Sequence, residues 1–180
     1  MRKFLLGIWE IAEVALIAVV TVFLIRNFLV QPFLVSGASM EPNFYDKNYL
    51  LVDEITYRFR EPLRGEVVVF RYPFERSMFF IKRIIGLPGE RVTAENGTIK
   101  VFSGETAITL GEEYLSGSPK TLDNFDVRLG KNQYFVLGDN RYHSFDSRNW
   151  GAITREDIVG VARLRILPVK DFRIFEAPSY

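Results

Sequence analysis

Cysteine is absent from this chain and histidine occurs once, at His143. Without cysteine there is no disulfide framework, no thiolate zinc site and no thiol nucleophile. A single imidazole gives no basis for an imidazole metal site, and neither metal nor cofactor is expected. Charge of one sign is lacking too: 23 Lys and Arg face 22 Asp and Glu. Nothing in that balance attracts nucleic acid, so no nucleic-acid partner is expected. The chemistry left open is that of Ser, Lys, Asp, Glu or Arg. Apolar residues are plentiful, at 48% with 16 Phe among 180 residues. That suffices for one packed core, in a length short for two full domains.

The longest uninterrupted apolar run, Val14 to Ile25, covers 12 residues and is shorter than the roughly 20 a membrane helix needs. The stretch 11–30 reaches that length if Glu13 and Arg26 lie near opposite interfaces, where long side chains can snorkel. A buried core helix is the alternative. Arg2 and Lys3 precede the run, so the positive-inside rule puts the N-terminus in the cytoplasm and the remainder outside. Ser36-Gly37-Ala38 has the small-x-small look of a signal-peptide cleavage site. It lies 13 residues beyond Ile25, however, and Pro32 ends the helix before it. An uncleaved anchor in the plasma membrane is the expectation.

From Tyr49 the texture becomes β. Tyr49–Val52, Glu66–Phe70, Met78–Ile85, Gln133–Leu137 and Ile158–Ile166 are short runs rich in β-branched and aromatic residues, with Gly, Pro, Asn and Asp between them. Asn96-Gly97, between Arg91–Thr93 and Thr98–Phe102, predicts a tight hairpin. Gly104 to Lys131 is polar and turn-rich, and reads as an excursion from the sheet. The fold class is thus mainly β: an antiparallel catalytic or binding domain on a single N-terminal helix.

Three sites carry possible chemistry. In Val35-Ser36-Gly37-Ala38-Ser39-Met40-Glu41-Pro42, Gly37 permits backbone conformations that a Cβ forbids and Pro42 fixes the exit, so Ser39 sits in a constrained turn. A plain juxtamembrane linker would look similar. In the strand Phe79 to Ile85, Lys82 shares a face with Phe80 and Ile84, and Arg83 shares the other with Ile81 and Ile85. Apolar neighbours would lower the lysine pKa, the usual route to a lysine base. A solvated edge-strand lysine is the bland reading. The stretch Leu137 to Arg148 holds Asp139, Asn140, Arg141, Ser144, Asp146, Ser147 and Arg148. It is either a hydrogen-bonded loop with internal ion pairs or a solvated one. A Ser-His-Asp triad would have to combine Ser39, His143 and Asp139 or Asp146.

In this order the sites resemble the type I signal peptidases, membrane-bound serine proteases that remove signal peptides. Ser39-Met40-x-Pro42 resembles the nucleophile box. Arg64-Gly65-Glu66-Val67-Val68-Val69-Phe70 is similar to the family's Arg-Gly-Asp-x-Val-Val strand. Phe80-Ile81-Lys82-Arg83-Ile84-Ile85-Gly86-Leu87-Pro88-Gly89-Glu90 resembles the general-base box, and Gly138-Asp139-Asn140-Arg141-x-x-Ser144-x-Asp146-Ser147-Arg148 the box that closes the site, followed by Trp150-Gly151. The resemblance runs from the anchor to about Pro168. The chain departs from the family at Asn43-Phe44, where Thr-Leu is usual, at Lys47-Asn48 in place of Gly-Asp, and at Gly37, where some members carry Ser. The interval from Glu90 to Gly138 is also short.

What the resemblance implies is a mainly β, antiparallel catalytic domain of signal-peptidase type on one transmembrane helix. Residues 1–10 would be cytoplasmic, 11–30 the anchor and 31–180 the extracytoplasmic catalytic domain, with a short accessory excursion at about 91–137. Ser39 would be the nucleophile and Lys82 the general base, a pairing that needs no histidine. Ser144 would hydrogen-bond the Lys82 amine, and Gly37 would flank an oxyanion hole built from backbone N–H groups, that of Ser39 above all. Phe33, Val35, Met40, Phe80 and Ile81 would line shallow pockets for small side chains. Arg83, Asp139, Asp146 and Arg148 would form structural ion pairs. The partners implied are signal peptides of exported preproteins and membrane lipid, with the chain monomeric. Two alternatives remain: a processing protease dedicated to one substrate, and a catalytically silent, membrane-tethered domain that binds peptides.

Overall fold

The computed structural model describes residues 2–28, 30–115, 121 and 123–178, with side chains at 7, at 9–22 and from 31 onward. Helix α1 runs Arg2–Phe28, α2 Thr56–Phe59 and α3 Ser147–Trp150. The strands are β1 Val30–Leu34, β2 Tyr49–Asp53, β3 Val67–Tyr72, β4 Glu75–Gly86, β5 Arg91–Glu95, β6 Thr98–Ser103, β7 Thr106–Thr109, β8 Phe125–Arg128, β9 Gln133–Leu137, β10 Ile153–Thr154, β11 Ile158–Leu167 and β12 Arg173–Ile174. Among the described residues they form two antiparallel sheets. The larger has the order β1-β2-β11-β3-β4-β9-β10, with β12 beside β11; the smaller has the order β7-β6-β5-β8.

Alternation along the central strands explains how the layers stack. In β4, Ile84 enters one core with Val68, Phe70, Tyr134, Val136 and Ile153. Its neighbour Ile85 enters a second core with Val92, Ile99, Val101, Phe135 and Leu137. Strand β9 and the end of β4, from Lys82 to Gly86, are therefore buried on both faces, while the start of β4 is exposed. A third cluster, Val35, Met40, Phe44, Leu50, Val67 and Ala162, packs beneath the turn that follows β1. The hairpin at 96–97 forms as expected, with φ of 49° at Asn96 and 78° at Gly97 between β5 and β6.

Two expectations need correction. The polar stretch 104–131 is not outside the sheets: its β7 and β8 complete the smaller one, while positions 116–120 and 122 lie outside the described residues. Pro32 does not merely follow the helix. It sits in β1 opposite Leu51, at the sheet's edge, where a residue without an N–H is tolerated.

Helix α1 carries no charged residue between Glu13 and Arg26. Trp9, Ile11, Val14 and Val22 are all more than 60% exposed. Among the described residues no helix is long and apolar enough to cross a membrane. Glu10 and Glu13 interrupt the described stretch, and the side chains of Arg2 and Lys3, invoked for orientation, and of Arg26, invoked as an interfacial flank, lie outside the described residues.

At Gly160 strand β11 comes close to β2. A Cβ there would stand 2.5 Å from the carbonyl oxygen of Asp53 and 2.8 Å from Val52 Cγ1. Because backbone cannot swing aside as a side chain can, Gly160→Ala is expected to destabilise the domain by about 1–3 kcal/mol. A lower denaturant midpoint at unchanged slope would show it; an unchanged midpoint would contradict it.

Candidate active site

The chain leaves β1 still paired, with Val35 N–H donating to Asn48 O and Lys47 N–H to Val35 O, both at 2.9 Å. At Gly37 φ is +88°, yet nothing lies within 4 Å of where a Cβ would be. Glycine is needed there for its backbone conformation, not for space. Its N–H donates to Asp46 Oδ1 at 2.9 Å, so that amide is not open to a substrate. Turns through Ser39 to Asn43 close with Glu41 N–H on Ala38 O and Phe44 N–H on Met40 O. From the facing loop, Asn140 donates its N–H to Ser39 O at 3.0 Å and its side-chain amide to Ala38 O at 3.1 Å.

Lys82 arrives on β4 in register with Val68. Its Nζ lies 2.8 Å from Ser39 Oγ and 2.9 Å from Ile81 O, and the residue is only 4% exposed. The ring of Phe80 lies 5.6 Å from the amine. Burial lowers the lysine pKa to about 8, against an opposing pull from the carboxylates of Asp146 and Asp139. At that value roughly a tenth of the amines are neutral at pH 7, against on the order of 0.04% at an unperturbed 10.4.

The facing loop is held by two carboxylates with no exposure. Asp139 takes a two-point ion pair from Arg83, Nε to Oδ1 at 2.8 Å and Nη2 to Oδ2 at 2.6 Å. Asp146 caps α3: it accepts from the N–H of Arg148 and of Gly138, and from Arg148 Nε at 2.8 Å. Arg148 continues to Asp123. Arg141 ties the same loop to Glu112 and Thr121.

Ser144 departs from expectation. Its Oγ is buried and has no hydrogen-bond partner among the described residues. It rests over Gly138, where a Cβ would collide with it and come within 2.5 Å of Ser39 O. The expected bond from Ser144 to the Lys82 amine is not formed, and Nζ is bonded to Ser39 and the Ile81 carbonyl instead. The triad alternative fares no better: Asp139 and Asp146 are engaged by arginines, and the partner at Ser39 Oγ is the amine.

A groove of about 350 Å³ opens at Ser39 and Lys82, lined by Phe33, Val35, Phe80 and Ile81 among others. Met40 is not in it. At 1% exposure it packs with Phe44, Leu50 and Val67, because the turn directs Ser39 outward and its neighbour into the core. Leu34, Leu50, Val69, Phe79 and Phe145 line the groove without having been expected there, and His143 reaches its rim. Phe79 was adjacent to the matched strand and packs edge-on against Phe33 at 5.4 Å. No set of three residues that could hold a metal occurs among the described residues.

The family model described as "Signal peptidase, peptidase S26" matches residues 8–167. The chain is 38% identical to a probable signal peptidase I-2 of Synechocystis sp. over 165 residues, 89% of this chain and 73% of the relative. It is 36% identical to signal peptidase I P of Bacillus subtilis subsp. natto, over 88% of each chain. The crystal structure of a signal peptidase I from Enterococcus faecalis V583 superposes with a TM-score of 0.50 at 29% identity, covering 57% of this chain and 97% of that one.

Lys82→Met, similar in shape and never charged, tests the desolvation of the amine. Below pH 8 the folded and unfolded chains both hold the proton, and the folded chain bears the cost of the buried charge in full, about 3 kcal/mol. Between about 8 and 10.5 the folded amine loses its proton first, so wild-type stability rises with pH. The Met variant should therefore be more stable at pH 7 by up to that amount and melt higher, with the advantage narrowing as pH approaches 10.5. A variant less stable at pH 7, or an advantage independent of pH, would contradict it.

Proposed function

The chain belongs to the signal peptidase family, peptidase S26, and from that premise we propose that it is a membrane-bound serine endopeptidase that removes N-terminal signal peptides from exported preproteins. The observation that carries the chemistry is the 2.8 Å contact between Ser39 Oγ and a lysine amine that is 4% exposed. The neutral Lys82 takes the proton of Ser39 Oγ as that oxygen attacks the scissile carbonyl, and returns it to the leaving amine. With the Gly37 amide engaged by Asp46, the Ser39 N–H is the oxyanion donor. Phe33, Val35, Phe80 and Ile81 narrow the groove to small side chains before the cut.

The anchor belongs to the same proposal. From Val14 to Val22 helix α1 carries no charged residue and is largely exposed, and only β1 separates the helix from the nucleophile turn. With Arg2 and Lys3 at the start of the helix, ahead of its apolar run, residues 11–30 span the bilayer once, 1–10 stay in the cytoplasm and 31–180 lie outside. Leu34, Phe79 and Phe145, at the groove and exposed, meet the outer leaflet where signal peptides emerge. Protease added to intact spheroplasts should then digest the β domain. Full protection would reverse the orientation.

Incubation of the detergent-solubilised chain with a preprotein tests the reaction. Ser39→Ala and Lys82→Ala should each lose at least about 10³-fold in kcat/KM while remaining folded. His143→Ala should stay within a few-fold of wild type. The acid limb of kcat/KM should fall near pH 8, the lysine value, and not near 6.5, where a histidine base would place it. Near-normal cleavage by Lys82→Ala, or a limb at 6.5, would refute the Ser–Lys pair. Absence of any cleavage by wild type would favour the silent peptide-binding domain.

A further inference from the structure

One carboxylate oxygen joins the strand that carries the base to the turn that carries the nucleophile. Asp139 Oδ2 accepts from Arg83 Nη2 at 2.6 Å and from Asn43 Nδ2 at 2.8 Å. Arg83 is the residue next to Lys82 on β4, and Asn43 follows Ser39 by four positions at the end of its turn. The second Nδ2 hydrogen of Asn43 goes to Tyr114 O at 2.8 Å, in the accessory segment. The Asn43 carbonyl in turn accepts from Arg165 Nη1 of β11 at 3.0 Å. A primary amide has two hydrogens to give, and here both are used across different segments; a hydroxyl has one, an alkyl group none.

We propose that Asn43 is a positioning residue for the Ser39–Lys82 pair, its amide bracing the nucleophile turn against Asp139 and the Tyr114 carbonyl so that Ser39 Oγ is held at bonding distance from the lysine amine. Asn43 can act this way only if Ser39 and Lys82 are the nucleophile and base proposed above. Asn140 already grips the Ala38 and Ser39 carbonyls at the front of the turn. Without Asn43 the rear of the turn keeps the Phe44 N–H bond to Met40 and loses its direct tie to the carboxylate that orients Arg83. Phe44 stacks on Phe175 at 4.2 Å and keeps the turn docked on the core, so the consequence is misalignment and not unfolding. A misplacement of about 1 Å at a nucleophile is worth on the order of 100-fold in rate.

The test uses the full chain in detergent with a signal-bearing preprotein as substrate, and wild type and Ser39→Ala beside the variants. Asn43→Ala is expected to lower kcat roughly 10- to 100-fold, per folded molecule counted from its melting curve, with KM within about twofold. Asn43→Thr, which keeps one donor, should fall between Ala and wild type. A purely structural residue would lower the melting point and the folded fraction and leave kcat per folded molecule unchanged. The proposal is overturned by kcat within twofold of wild type in Asn43→Ala, or by a loss confined to KM. If Asn43→Ala does not fold, Asn43→Thr is judged by the same two criteria. Failure of wild type to cleave, or cleavage by Ser39→Ala, strikes instead at the reading of the Ser–Lys pair.

Discussion

A carboxylate shut away from solvent needs donors that converge on it, and Asp139 is such a group. Removing it from water costs several kcal/mol, which only well-aligned partners offset. Those partners come from β4 and from the turn that holds Ser39, Arg83 and Asn43, while Asp139 itself belongs to the facing loop. The three segments are far apart in sequence, and satisfying this one charge requires all of them to be in place. Arg83 also donates to the Gly65 carbonyl, which carries the constraint back to the start of β3. The site is therefore assembled by the demands of a buried ion as much as by apolar packing.

Lys82 illustrates the opposite use of burial. Its amine has no carboxylate within bonding reach among its hydrogen-bond partners, only a hydroxyl and a carbonyl, so desolvation dominates. Asp139 and Asp146 act on it at a distance and keep the shift from growing. For the base role proposed above the balance matters, because a base pushed too low would be neutral but weak, and one left near 10.5 strong but almost always protonated. Both carboxylates are themselves held by arginines, and their pull on the amine is tempered accordingly.

Much of this was legible in the residues. Ser39 beside a constrained turn, Lys82 between Phe80 and Ile84, and the Asn96-Gly97 hairpin each follow from local rules. Strands β1, β7 and β8 were not legible, since their identity comes from partners: β1 contains Pro32 and is a strand because β2 lies beside it. Phe125-Asp126-Val127-Arg128 did alternate, but inside a polar stretch that masked it. Met40 and Ser144 show a different limit. Adjacent residues in a turn can face core or groove, and only the three-dimensional path decides that Met40 goes inward and that Ser144 settles over Gly138.

The depressed basicity of Lys82 also changes which atom in the groove an electrophile would find. At pH 8 about half of these amines carry a free lone pair, compared with roughly 0.4% for an unperturbed lysine. An acylating agent or aldehyde small enough to enter the space between Phe33 and Ile81 would meet a primed amine next to the serine hydroxyl. On the proposed mechanism, modification there would remove the proton acceptor and leave the hydroxyl chemically intact. Inhibitor chemistry directed at lysine thus has a handle in this chain that serine-directed chemistry does not exploit.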